Sequence, residues 1–199
     1  MSGTGLRDSP TGPEPPARPA AEPPVGRVEL TGLRAAALSV QEALTAVTRP
    51  GVGGTAVFVG TVRDNDADPA GPRAVTALDY SAHPDADRIL AEVATEVARE
   101  VAAEAGAGPA VLLAVLHRTG SLAVGEVAIV AAAGAAHRGE AFTACRRLVD
   151  KVKTRVPIWK REHLADGSAT WVGMPQALTG SGGSAGARTE SPRREPAPP

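Results

Sequence analysis

Lys151, Lys153 and Lys160 are the only lysines in a chain with twenty-one basic residues, and all three fall in one segment, KVKTRVPIWKRE. Arginine stays charged and grips anions as a fixed fork. Lysine can give up its proton when desolvated and then serves as a base or nucleophile. Confining lysine to one segment points to proton chemistry there, beyond simple anion holding. The plainer explanation is a solvated basic stretch at a helix C-terminus, where cations are favoured anyway. That explanation suits Lys151 better than Lys153 and Lys160.

Other cationic groups stand at the ends of elements. Arg63 closes an apolar strand and enters a loop. His137 and Arg138 open the last helix, where free backbone N–H groups favour an anion. Lys153 closes that helix and Lys160 lies on the strand after it. Together they suit a phosphorylated or otherwise anionic small molecule. His137 and Lys153 are sixteen residues apart on one helix, roughly 24 Å at helical rise. One protomer cannot close both around a small substrate, whereas two antiparallel helices across a two-fold axis can. A dimer with a shared site is therefore expected.

The remaining polar candidates have structural readings. His117 is taken as a strand-end histidine and His83 as a helix cap. Cys145, on an apolar helix face, reads as a buried inert thiol. Trp159 and Trp171 read as core or interface residues. The four histidines show no metal-ligand spacing, so no metal site is expected. GVGGTAVFVG precedes a strand, the wrong context for a phosphate-binding loop.

The elements that must position these groups follow from pattern. LSVQEALTAVTRP carries Ser39 with Glu42 three residues on, a capping box, and Pro50 stops the helix. Thr55 to Arg63 is rich in β-branched residues and reads as a strand. DNDADPAGP reads as a loop, and RAVTALDYSA as a second strand, plausibly in a hairpin with the first. Residues 84 to 105 keep helical apolar spacing behind Pro84. AVLLAVLHRTGSL and GEVAIVAAAG read as two strands. A helix is predicted from Arg138 to Thr154, with Phe142, Cys145, Leu148, Val149 and Val152 as its apolar face. PIWKREHL and SATWVG read as closing strands around the turn ADG. The order α-β-β-α-β-β-α-β-β predicts an α+β arrangement with a mixed or antiparallel sheet.

Bulk properties bound the rest. Residues 1–26 hold seven prolines, and 176–199 are mostly Gly, Ser, Pro and Arg; both read as disordered tails flanking one domain at 27–175. A net charge of −1 disfavours a general nucleic-acid binder, as do the sparse aromatics. MSGTGLRDSP lacks the apolar core of a secretory signal, and no apolar run reaches membrane-spanning length. A single cysteine excludes an internal disulfide. A cytoplasmic protein, not bound to membrane, is expected.

FVGTVRDND, HRTGSLAVGE, AAHRGEAF and KTRVPIWKRE, in this order and spacing, resemble the large, catalytic subunit family of molybdopterin synthase over roughly residues 27–173. The resemblance implies an α/β-hammerhead fold with an additional antiparallel β subdomain. It implies a homodimer within a heterotetramer, with a thiocarboxylated ubiquitin-like small subunit at each end. It implies sulfur transfer to cyclic pyranopterin monophosphate, forming the molybdopterin dithiolene, with no cofactor. Residue by residue, it assigns catalysis to Lys153 and Lys160. It assigns substrate binding to Thr61, Val62 and Arg63, to Lys153, Lys160, Arg161 and Glu162, and to His137 and Arg138 from the neighbouring subunit. Thr61 and the acidic DND depart from the family's more basic pattern at that loop. The alternative is a non-catalytic dimeric scaffold that binds the small subunit or an anionic ligand. Lysine chemistry at Lys153 and Lys160 discriminates the two, since a scaffold does not require it.

Overall fold

The computed structural model describes residues 25–68, 71–106 and 110–172. In chain order these form β1 (Gly26–Arg34), α1 (Val40–Ala46), β2 (Gly54–Thr61), β3 (Asn65–Asp68), β4 (Gly71–Ala82), α2 (Ala86–Ala105), β5 (Val111–Arg118), β6 (Gly120–Ala123), β7 (Val127–Ala135), α3 (Arg138–Arg155), β8 (Ile158–Leu164) and β9 (Ala169–Val172). The expected α+β class is observed, with two sheets.

The first sheet runs β1-β5-β7-β2, with β1 parallel to β5 and the other pairs antiparallel. β5 and β7 are buried on both faces and read as continuous apolar runs for that reason. One face packs on α2 and α3 through Leu90, Val97, Leu113, Val115, Leu148 and Val152. The other packs on α1, with Ala43 and Val47 against Leu112, Ala114, Val130 and Ala132. The alanines of β7 let backbones approach from both sides. At Gly134 a Cβ would lie 2.2 Å from the Val47 carbonyl oxygen, so no larger residue fits beneath α1.

The second sheet is antiparallel, β3-β4-β8-β9, with β6 paired to β4. It encloses a smaller core of Val62, Val75, Leu78, Leu122, Ala128 and Leu164. The β8–β9 hairpin forms as expected, and Ser39 caps α1 by accepting the Glu42 N–H.

Several expectations are corrected. β1 was not foreseen; a bulge between Val28 and Leu30 breaks its alternation, and its partner β5 is far along the chain. The anticipated loop DNDADPAGP contains β3, paired with the start of β4. The anticipated hairpin of the Thr55 and Arg73 strands does not form: β2 pairs with β7, and β4 with β8, β6 and β3. The single strand expected at AVLLAVLHRTGSL divides into β5 and β6. α2 begins two residues after Pro84, and the Asp85 N–H donates to His83 Nδ1 at 3.1 Å. Phe142 is exposed; Ala141 and Ala144 take the inward places on α3. The two tails lie outside the described residues save for Val25 and Gly26, and Gly26 already belongs to β1.

α2 and α3 are strapped by ion pairs. Lys151 Nζ meets Glu96 at 2.6 Å and Glu100 at 2.8 Å, Arg155 meets Glu96 at 2.6 Å, and Arg147 meets Glu104 at 2.6 Å. Lys151 is thus a structural residue that ties α3 to α2, where the plainer reading gives only a solvated basic stretch. Its hydrogen bond to Glu96, helped by Arg155, draws that carboxyl from its ordinary 4.5 down to about 2. A carboxyl depressed by folding adds stability that is fully present above its unfolded value and is lost as pH falls through its folded value. Melting temperatures taken stepwise from pH 5 to pH 2 should therefore fall, and Glu96→Gln should fall less steeply across that window. Parallel slopes would show that the strap contributes nothing there.

Candidate active site

Where the two sheets meet, a cleft of about 400 Å3 opens, lined in part by Phe58, Thr61, Arg63, Tyr80, His117, Lys153, Lys160 and Glu162. Six separate stretches of the sequence build it, at 58–65, 75–80, 117, 128–129, 152–162 and 172. The last turns of α3 bring Lys153 to its edge. There the ammonium stands 5.4 Å from the centre of the Phe58 ring, within cation–π reach. Lys153 is exposed, so any desolvation of it must come from what binds in the cleft.

β8 supplies Lys160 and Glu162, two residues apart and therefore on one face. They form a tight pair, Nζ to Oε1 2.6 Å. Glu162 is only 5% exposed, so its charge depends on partners within the protein. The same face of β4 carries Leu78 and Tyr80, opposite Glu162 and Lys160 in register. Burial raises the Tyr80 hydroxyl above its ordinary range, with the Lys160 charge opposing that shift. The His117 ring, at the end of β5, meets Tyr80 edge-on with centroids 5.2 Å apart.

A bulge in the β2–β7 register between Gly60 and Thr61 interrupts the alternation of β2, so that both residues border the cleft. Gly60 has no room for a side chain, since a Cβ would lie 2.6 Å from Ile129 Cγ2. Arg63 follows just beyond the strand end.

The structure therefore brings together Thr61, Arg63, Lys153, Lys160 and Glu162 from the sequence-predicted set. Four others lie elsewhere. Val62 is buried in the second core, its N–H bonded to the Glu126 carbonyl and its own carbonyl to the Gly125 N–H. It has no free backbone donor for a ligand. Arg161 points to the opposite face of β8, opposite Asp79 in register. His137 and Arg138 are exposed at the far end of α3, outside the cleft. Phe58, Tyr80 and His117 are lining residues that sequence reasoning did not select. Tyr80, the only tyrosine in the chain, was the one available signal.

Cys145 is buried, and burial raises its thiol above the ordinary range, consistent with the expected inert role. Among the described residues no group of three or more His, Cys, Asp or Glu is placed to hold a metal ion. With Lys160 and Glu162 neutralising one another, the cationic character of the cleft comes chiefly from Arg63 and Lys153. The arrangement suits an anionic ligand with an apolar or ring-like body.

The family model described as MoaE protein matches residues 33–155. Molybdopterin synthase catalytic subunit 1 of Mycobacterium tuberculosis is 43% identical over 136 residues, covering 68% of this chain and 85% of that protein. The molybdopterin synthase catalytic subunit of a Nostoc species is 38% identical over 142 residues, covering 70% and 79%. Among solved structures, a molybdopterin biosynthesis MoaE protein from Burkholderia ambifaria superposes with a TM-score of 0.57 at 29% identity, covering 75% of this chain and 95% of that one. Molybdopterin synthase from Staphylococcus aureus superposes with a TM-score of 0.62 at 24% identity, covering 71% and 96%, a likeness of fold.

Proposed function

The chain belongs to the MoaE family of molybdopterin synthase catalytic subunits, and from that premise we propose that its cleft transfers sulfur to a phosphorylated pterin. The donor is the thiocarboxylated C-terminus of a ubiquitin-like small subunit, and the acceptor is cyclic pyranopterin monophosphate. The observation that carries this reading is the convergence of Lys153 from α3, Lys160 and Glu162 from β8, and Arg63 from beyond the end of β2, on one cleft of ligand size.

Each group has a part. Arg63 holds phosphate oxygens as a fork. Lys153 meets the donor carbonyl, polarising it, and moves protons as the cyclic phosphate opens. Lys160, positioned by Glu162, stabilises negative charge that develops on the substrate. Sulfur arrives from the partner, so the buried Cys145 takes no part. No described helix is long and apolar enough to cross a membrane, and we place the reaction in the cytoplasm.

His137 and Arg138 enter from a second copy in this reading. β2 is an edge strand of the first sheet, and its outward residues Val57 and Val59 are exposed, as is Phe142. Such an edge invites pairing. Gly54, at the start of β2, lies against the backbone of His137 and Arg138, while Thr61, at its other end, borders the cleft. Eight residues of strand span roughly 27 Å, close to the roughly 24 Å between His137 and Lys153 on α3. Two β2 edges paired antiparallel across a two-fold axis set each Gly54 end beside the partner's Thr61 end. His137 and Arg138 of each copy then reach the other's cleft.

The test of the reaction is reconstitution: the purified chain, cyclic pyranopterin monophosphate and a thiocarboxylated small subunit, with dithiolene product read by mass spectrometry. Binding of the small subunit without product would mean a scaffold. The shared site has its own test. His137→Ala and Lys153→Ala are each expected to be inactive. After mixing and subunit exchange, random pairing should restore about a quarter of wild-type activity, because half the dimers would hold one intact site of two. No recovery in verified mixed dimers would place both residues' roles within one protomer.

A further inference from the structure

We infer that His117 is a substrate-facing residue of the cleft, whose Nε2 accepts a hydrogen bond from an N–H or O–H of the ring substrate and so sets how the ring lies. The inference rests on the cleft being a pterin site, as proposed above.

On β5 the residues Val111, Leu113 and Val115 point into the core beneath α2 and α3. His117 continues the same alternation, but it lines the cleft, where that core gives way to open space. Its ring is held on two sides. Tyr80 packs against it at an interplanar angle of 77°. Nδ1 lies 2.8 Å from the Arg118 carbonyl oxygen. A carbonyl can only accept, so Nδ1 carries the hydrogen. Burial disfavours the imidazolium and lowers the His117 pKa, which keeps the ring neutral. A neutral imidazole protonated on Nδ1 bears its lone pair on Nε2. The ring nitrogen held by the Arg118 carbonyl is Nδ1, which leaves Nε2 at the opposite side of the ring. His117 is half-buried and lines the cleft, and we place Nε2 on the cleft side.

The surrounding groups explain why such an acceptor matters. Arg63, Lys153 and Lys160 are donors only, Glu162 receives Lys160 on Oε1, and the Thr61 and Tyr80 hydroxyls can donate or accept, so a neutral Nε2 adds an acceptor with no competing hydrogen of its own. Those cations suit phosphate oxygens, which only accept. A fused heterocycle also has N–H donors, which the cations cannot satisfy. A rigidly held, neutral Nε2 can, and it discriminates against a ring presented the other way round. His117 is thus a binding and orienting residue, with no proton transfer assigned to it.

The test compares wild type, His117→Phe and His117→Gln with cyclic pyranopterin monophosphate at saturating small subunit. Phenylalanine keeps the edge contact with Tyr80 and removes the acceptor. Glutamine can present its side-chain oxygen near the place of Nε2. The expected result is a KM for the pterin raised about tenfold in His117→Phe, the size of one lost hydrogen bond, with kcat within about twofold of wild type. His117→Gln should recover most of that loss. An unchanged KM in a folded His117→Phe would overturn the inference. So would equal losses in both variants together with lowered melting temperatures, the mark of a packing role. Failure of wild type to turn over the pterin would instead remove the parent reading, and this one with it.

Discussion

Lys153→Ala is expected to reduce dithiolene formation by at least about a thousandfold, the upper range for loss of a positioned proton-transferring group together with its electrostatic stabilisation. The fold should not notice. Lys153 is exposed, and its described contact is the cation–π approach to Phe58. Substitutions at such positions move stability by about 0.5 kcal/mol or less. Binding of the small subunit, measured by titration, should remain, so that the defect lies in turnover. Lys153→Arg then separates two roles. Arginine keeps the charge but does not give up its proton. Activity near wild type in Lys153→Arg would mean that charge alone is needed. An inactive Lys153→Arg, with substrate still bound, would mean that the lysine must move a proton or approach the donor carbonyl as a compact point. Turnover retained in Lys153→Ala would sink the assignment altogether.

Lys160→Met is expected to fail in two ways at once. It removes a cation from the cleft, and it deprives the buried Glu162 carboxylate of a partner at 2.6 Å. Breaking a fully buried pair costs about 3–5 kcal/mol. Lys160 is 31% exposed at its side chain, so solvent screening brings the expected loss to about 2 kcal/mol. The two effects separate in the double variant. Adding Glu162→Gln removes the stranded charge and should return most of the melting temperature, yet activity should stay lost. Recovery of both would make the pair purely structural. Failure to recover stability would show that Glu162 is held chiefly by other groups.

The contrast between Lys151 and its two neighbours shows how far residue type alone carries. All three stand in one short segment. Lys151 faces α2, where Glu96 and Glu100 take its three hydrogens, and burial of the adjoining apolar stripe dictates that direction. Lys153, two residues on and about 200° around the helix, faces the other way, toward Phe58 and the cleft. Helical periodicity was legible in the sequence and so was the split between the two lysines. What each would meet was not, because Glu96 and Phe58 belong to distant segments.

The same division runs through the fold. Where a pattern is carried by consecutive residues it was readable: the Ser39 cap, the apolar stripes of α2 and α3, and the β8–β9 hairpin with its turn. Where an element exists only by virtue of a remote partner it was missed. β1 lies beside β5 through parallel pairing across most of the domain, and β3 is a strand only because β4 is there to receive it. The expected hairpin between the strands around Thr55 and Arg73 failed for the same reason. β7, with its small residues, lets β2 dock at the edge of the first sheet and leaves β4 to the second.

By itself, then, the sequence determined the α+β class, the family resemblance, and the lysines, Arg63 and Glu162 that line the cleft. These depend on residue type and local spacing, which the chain carries without folding. Only the tertiary structure decided which residues share the cleft. The separation of His137 and Arg138 from Lys153 along α3 was already legible in the helical spacing, whereas the tertiary structure set Tyr80 and His117 into the wall, turned Arg161 to the opposite face and buried Val62. Those outcomes depend on strand register, where a shift of one residue exchanges the faces. Register is settled by packing between segments that the chain holds far apart.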